Sequence, residues 1–93
     1  MMTRTYQLFC GRNIPTGGTV TDKEVATFLA RVPFDGFTVQ ECVGYWKGEM
    51  EETLLLTVCT DDYKLVQQTA GLYKGMFQQE AVAIQELPAM QFV

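Results

Sequence analysis

Apolar and polar residues alternate along this chain in two distinct rhythms, and the changes of rhythm mark its elements. TYQLFCG, from Thr5 to Gly11, is an aromatic and apolar run stopped by glycine, which predicts a first strand. The next ten residues hold Pro15 and the pair Gly17 and Gly18, so they form a loop. Thr21 followed three positions later by Glu24 is a capping-box pattern, and Val25, Phe28, Leu29 and Val32 then recur at helical spacing as far as Pro33. Asp35 and Gly36 turn the chain into FTVQECVGYW. There Phe37, Val39, Val43 and Tyr45 share one face and Thr38, Gln40, Cys42 and Trp46 the other, with Glu41 as the polar exception on the apolar face.

Lys47 and Gly48 predict a hairpin connection, and ETLLLTVCT after it has the continuous apolar core of a central strand. The period then lengthens. Between Asp61 and about Gln78, Leu65, Val66, Thr69, Leu72, Tyr73, Met76 and Phe77 return every three or four residues, with Thr60 or Asp61 as the expected N-cap. Gly71 and Gly75 weaken the last turns by about 1 kcal/mol each relative to alanine. AVAIQE reads as another strand, Pro88 interrupts it, and AMQFV leaves room for a short extra C-terminal strand.

Strand, helix, strand, strand, helix, strand in this order predicts an α+β ferredoxin-like βαββαβ sandwich, with both helices on one face of an antiparallel sheet. Residues 1–93 form a single domain of that kind, since a chain this short supports one core and buries only about two thirds of its unfolded surface. The apolar strands offer more hydrophobic side chains than one helix-covered face can take. The other face is therefore expected to be apolar as well, and homo-oligomerisation is the simplest way to cover it.

Composition narrows the function. Hydrophobic residues make up 47% of the chain and charged ones 19%, which fits a globular protein rather than a disordered one. A net charge of -4 with few, scattered basic residues disfavours nucleic acid and anionic membranes as partners. No apolar run approaches the roughly 18 residues of a membrane span, and the first residues lack a signal-peptide pattern, so a cytoplasmic location is expected. Cys10, Cys42 and Cys59 are odd in number, widely spaced and set in apolar sequence, as reduced core thiols are. With no histidine in the chain and no thiol pair at ligand spacing, no metal site is expected, nor any cofactor. Histidine-based acid–base and nucleophilic catalysis is absent for the same reason.

The chemistry that remains lies in a few places. GYWKGEMEET, Gly44 to Thr53, sets Tyr45 and Trp46 beside Glu49, Glu51 and Glu52. Adjacent strand residues face opposite ways, so one of Glu51 and Glu52 can point into a cleft while the other meets solvent. An aromatic face beside a carboxylate suits a cationic ligand; a polar hairpin tip with an aromatic over the sheet edge is the plainer alternative. Arg12 stands where it could hold an anionic group bidentately, or serve only solubility. Gln78 and Gln79, at the junction of the second helix and the last strand, could read a base edge or cap the helix. The loop CGRNIPTGG could cradle a phosphate, but its spacing matches neither the P-loop nor the dinucleotide fingerprint, which favours a flexible connector.

Taken together, an aromatic-Cys-Gly step ending the first strand, G-Y-W-x-G on the second, E-E-T opening the third and F-Q-Q-E-A-V joining helix to last strand resemble trimeric PII-like proteins, in particular the small phage-encoded S-adenosylmethionine lyases. The chain is also similar to an uncharacterised bacterial domain family with a Gly-x-Trp strand and a terminal Phe-x-Gln motif. The resemblance runs from about Thr5 to Glu86. It implies a homotrimer with ligand clefts between subunits and, if phage-encoded, residence in the host cytoplasm. It puts the essential lyase glutamate on Glu51 or Glu52 and the second-strand tyrosine on Tyr45, or less well on Trp46. The hairpin is shorter than in the lyases and part of their C-terminal extension is missing. Two readings stand side by side: a homotrimer binding a small adenosyl-type metabolite, with lyase activity, through Glu51, Glu52, Tyr45, Arg12, Trp46, Gln78 and Gln79; or a non-catalytic regulatory or assembly module that uses an apolar sheet face for protein interaction.

Overall fold

The computed structural model describes residues 3–88 and 91–93. Strand β1 (Arg4–Gly11) is followed by helix α1 (Asp22–Ala30), strands β2 (Thr38–Trp46) and β3 (Glu49–Thr60), helix α2 (Tyr63–Met76) and strand β4 (Ala83–Leu87). The strands form one antiparallel sheet in the order β2-β3-β1-β4, which is the ferredoxin-like arrangement. Among the described residues, no helix is long and apolar enough to cross a membrane.

Local chemistry sets the ends of the elements. The Thr21 hydroxyl accepts the Glu24 amide at 3.2 Å while the Glu24 carboxylate accepts the Thr21 amide at 3.1 Å, closing the expected capping box. Lys47 and Gly48 both have positive φ, 51° and 81°, so the β2–β3 connection is a two-residue turn of the primed kind that suits a twisted hairpin. Helix α2 starts one residue later than expected. Asp62, not Thr60 or Asp61, is its N-cap and accepts the Leu65 amide at 3.0 Å; the Thr60 hydroxyl instead accepts the Asp62 amide at 3.1 Å. The helix closes with Gln78 in the left-handed region, φ 54°, and the Gln79 amide returning to the Lys74 carbonyl at 3.1 Å. Of the expected extra strand, residues 91–93 are not in a strand, and residues 89 and 90 lie outside the described ones.

The core lies between the helices and one face of the sheet. Tyr6, Leu8 and Cys10 of β1 pair with Val58, Leu56 and Leu54 of β3, and these six pack with Val25 and Phe28 of α1 and Val66, Ala70 and Tyr73 of α2. Tyr73 is at its centre, wholly buried, with its ring edge-on to both Phe28 and Phe77 at centroid distances of 5.0 and 4.9 Å. Its hydroxyl donates to the Gly11 carbonyl at 2.7 Å, and burial holds its pKa far above the ordinary tyrosine value.

Burial also pushes the Cys10 thiol up from 9.0 to about 12. A raised pKa means that the folded chain keeps a proton the unfolded chain releases, so this stability is intact below pH 9 and is lost as the pH climbs toward about 12. Urea unfolding should therefore show stability falling over that range by up to about 1.4 kcal/mol per pH unit for this group, and Cys10→Ala should fall less steeply. Equal slopes in the two proteins would contradict the assignment.

The opposite face of the sheet differs from the expectation. Register places Leu54, Leu56 and Val58 toward the helices and leaves Leu55, Thr57 and Cys59 on the open side, with Gln7 and Phe9 of β1 and Gln40 of β2. Gln7 donates to Thr57 across the strands at 3.3 Å. That face is mixed, with half-buried Phe9 and Leu55 among polar neighbours, rather than continuously apolar. The exposed apolar side chains lie elsewhere, along β2 on the helix side, in a row interrupted by Glu41 and flanked by Glu52. Val39, Val43 and Tyr45 of β2 and Met50 of β3 share the helix-side face yet remain exposed, Tyr45 at 75%.

Candidate functional site

At one end of the open face, between the β2–β3 hairpin tip, the segment after β1 and the α2–β4 connection, lies a cleft of about 520 Å³. Its walls include Phe9, Asn13, Trp46, Glu51, Gln79 and Glu80. The hollow follows from two glycines. On the open face of β3, Glu51 is paired with Gly44 of β2, and Thr53 with Gly11 of β1, so each has one flank on which the neighbouring strand presents no side chain. Gly44 is tight, since a Cβ there would come within 2.9 Å of the Thr53 hydroxyl. At Gly11 a Cβ would overlap the Glu51 carboxylate itself. Glycine at position 11 is what lets that carboxylate lie across the strand.

Glu51 is half-buried, and its Oε2 accepts the Asn13 backbone amide at 3.2 Å. Asn13 in turn donates its Nδ2 to the Met50 carbonyl at 3.3 Å, and the Asn13 carbonyl accepts Gln79 Nε2 at 2.9 Å. The carboxylate is thus held by one backbone donor and keeps further lone pairs for a ligand. Strand alternation had left open which glutamate meets a cleft; register puts Glu51 at this one, while Glu52 borders a separate hollow with Arg12 and Glu41. Glu52 is exposed on the helix-side face, across the sheet from Glu51.

The remaining candidates divide in the same way. Trp46 shares the open face with Glu51 and lines the cleft. Tyr45, paired with Met50, alternates onto the opposite face of β2, yet it too is among the residues that border the cleft with Glu51. Arg12 is buried and turned away from the cleft. Its Nε and one terminal nitrogen donate to the Val20 carbonyl at 3.0 and 2.7 Å, the latter nitrogen also pairs with Asp22 at 2.9 Å, and the other lies 3.6 Å from Glu41. These partners use the guanidinium to close the 12–20 loop, which is why no bidentate anion site forms there. Within the loop the Ile14 and Gly17 amides bond to the Gly18 and Ile14 carbonyls at 3.0 and 2.9 Å, so they are not directed outward to cradle a phosphate. Gln78 is exposed outside the cleft, its side-chain oxygen accepting from Thr16 at 3.1 Å. Gln79 lines the cleft with both Nε2 hydrogens directed to carbonyls, those of Asn13 and Phe77.

Sequence patterns alone did not single out Asn13, Lys47 or Glu80 as parts of the cleft. Lys47 reaches from the hairpin tip to Glu80 on the α2–β4 connection, 2.7 Å away, with its nitrogen 5.8 Å from the centre of the Trp46 ring. The Lys47 hydrogen bond, reinforced by its charge, holds the Glu80 carboxyl below its ordinary range. Nothing in a pattern of local spacing joins residues 33 positions apart. Among the described residues, no cluster of three cysteine or acidic side chains is placed to hold a metal ion.

This fold is shared with a known structure. The chain is similar to a phage S-adenosylmethionine lyase in complex with S-methyl-5'-thioadenosine, with a TM-score of 0.66 and 18% sequence identity, over 92% of this chain and 81% of that one. At that identity the likeness shows the fold. No curated protein matches the chain. Residues 5–92 match the model of the family described as "Protein of unknown function (DUF3574)", and with nearly its whole length covered the chain belongs to that family.

Proposed function

We propose that the cleft binds a small adenosyl-type metabolite carrying a sulfonium, and that the protein is an S-adenosylmethionine lyase. The observation that carries this reading is the placement of the Glu51 carboxylate and the Trp46 indole on one face of one cleft, a combination that attracts a compact cation. The molecule bound to the phage enzyme, S-methyl-5'-thioadenosine, is the adenosyl product such a reaction would leave, and it supports the ligand class.

The reaction needs no histidine and no external nucleophile. The substrate's own carboxylate attacks the carbon bonded to sulfur, the carbon–sulfur bond breaks with its electron pair going to sulfur, and methylthioadenosine and homoserine lactone result. The protein's task is to hold the aminobutyrate chain in near-attack geometry, which can lower the barrier by several kcal/mol. The sulfonium charge disappears as the bond breaks, so attraction to Glu51 must place the sulfur without over-stabilising the bound cation.

Incubation of the purified protein with S-adenosylmethionine should yield methylthioadenosine by chromatography, and millimolar S-adenosylmethionine should raise the melting temperature. The absence of both product and thermal shift would sink this reading. A second reading rests on the exposed stripe of Val39, Val43, Tyr45 and Met50, which suits an assembly module joining copies of itself, in a trimer, or gripping another protein. Light scattering that gives a trimer, together with no turnover and no thermal shift, would favour it.

A further inference from the structure

We propose that Gln79 is a positioning residue for the Glu51 carboxylate, acting through the backbone of Asn13; the inference rests on the reading of the cleft as a cation site. Gln79 sits where α2 ends, and its own backbone is fixed by the return bond to Lys74. From there Nε2 donates to the Asn13 carbonyl at 2.9 Å and to the Phe77 carbonyl at 3.2 Å. Asn13 directs its amide at Glu51 from the other side. One residue of β1's extension is thus gripped by the helix end at its carbonyl and grips the carboxylate with its N–H.

The alternative role, direct contact with ligand, fits the geometry less well. Both amide hydrogens of Gln79 are committed to carbonyls, and redirecting one would leave a half-buried acceptor unpaired. The neighbouring tie between Thr16 and Gln78 is exposed and joins side chains rather than the Asn13 backbone, so it cannot replace this grip. Loss of the Gln79 donor therefore removes the helix-end grip on the Asn13 carbonyl and leaves the residue held only by its Nδ2 bond to Met50 and the backbone bonds of Arg12 and Ile14. The amide that is the one backbone donor seen on Glu51 is then less firmly aimed.

Two readouts test this on the full chain. In ligand-free protein, the Asn13 amide proton should move upfield in Gln79→Leu, as it should in Glu51→Gln, and stay in place in Gln78→Leu. In calorimetry, the preference for S-adenosylmethionine over its neutral thioether S-adenosylhomocysteine should fall about tenfold in Gln79→Leu, the size of one weakened charge-assisted contact. Adding Gln79→Leu to Glu51→Gln should lower the preference no further. An unmoved Asn13 amide, or equal losses for both ligands, would overturn the positioning role. If instead the amide moves as expected but Glu51→Gln leaves the preference at the wild-type value, the cation reading of the cleft fails and the brace itself stands. Should Gln79→Leu fold poorly, Gln79→Glu keeps the shape, sets a carboxylate against the same two carbonyls, and should shift the Asn13 amide in the same direction.

Discussion

Glu51→Gln should lower kcat/KM for S-adenosylmethionine about 100-fold with little change in melting temperature. A hydrogen-bonded contact to a charged group contributes about 1.5–3 kcal/mol, and each 1.4 kcal/mol is about a factor of ten. Glutamine keeps the shape that Gly11 accommodates and can still accept the Asn13 amide, so the substitution removes charge and leaves packing alone. Glu52→Gln is the matched control. It removes the same charge one residue away on the other face of the sheet, and should change kcat/KM by less than about twofold, as surface charges screened by solvent do. Steady-state kinetics on the two variants decides the matter. Equal losses would mean that net charge, not the cleft, governs activity; full activity in Glu51→Gln would remove Glu51 from the site.

The largest effect on stability is expected from Tyr73. Truncation to alanine empties the space between Phe28 and Phe77 and should cost about 3–5 kcal/mol, a large fraction of the 5–15 kcal/mol typical of a whole domain. Tyr73→Phe separates the two contributions, because it keeps the ring and removes only the hydroxyl. It should cost about 1–3 kcal/mol, the penalty for leaving the buried Gly11 carbonyl without its donor. Urea denaturation of both variants measures each part. A Tyr73→Phe protein as stable as the wild type would show that the Gly11 carbonyl finds another partner.

Features decided within a few residues of chain were legible in advance. The capping box at Thr21 and Glu24, the turn at Lys47 and Gly48 and the opposite facing of Glu51 and Glu52 each follow from local geometry. Features decided by tertiary pairing were not. Three consecutive leucines at 54–56 carry no alternation, so nothing local told which of them would face the helices, and the character of the open face depended on that single choice of register. Asp61 and Asp62 are equally able caps, and the start of α2 turned on the bond from Asp62 to Thr60. The role of Arg12 needed the return of Val20 beneath it, and that of Gln79 needed α2 to end beside Asn13.

The strand order carries a consequence for how the molecule comes into being. β1 is first along the chain but lies in the interior of the sheet, flanked by β3 on one side and β4 on the other. Its neighbours are therefore made long after it emerges, and only the β2–β3 hairpin can form from adjacent segments. A nascent chain stopped before β4 could pair β2, β3 and β1 but would leave one edge of β1 bare, so completion of the sheet has to wait for nearly the last of these residues to be synthesised.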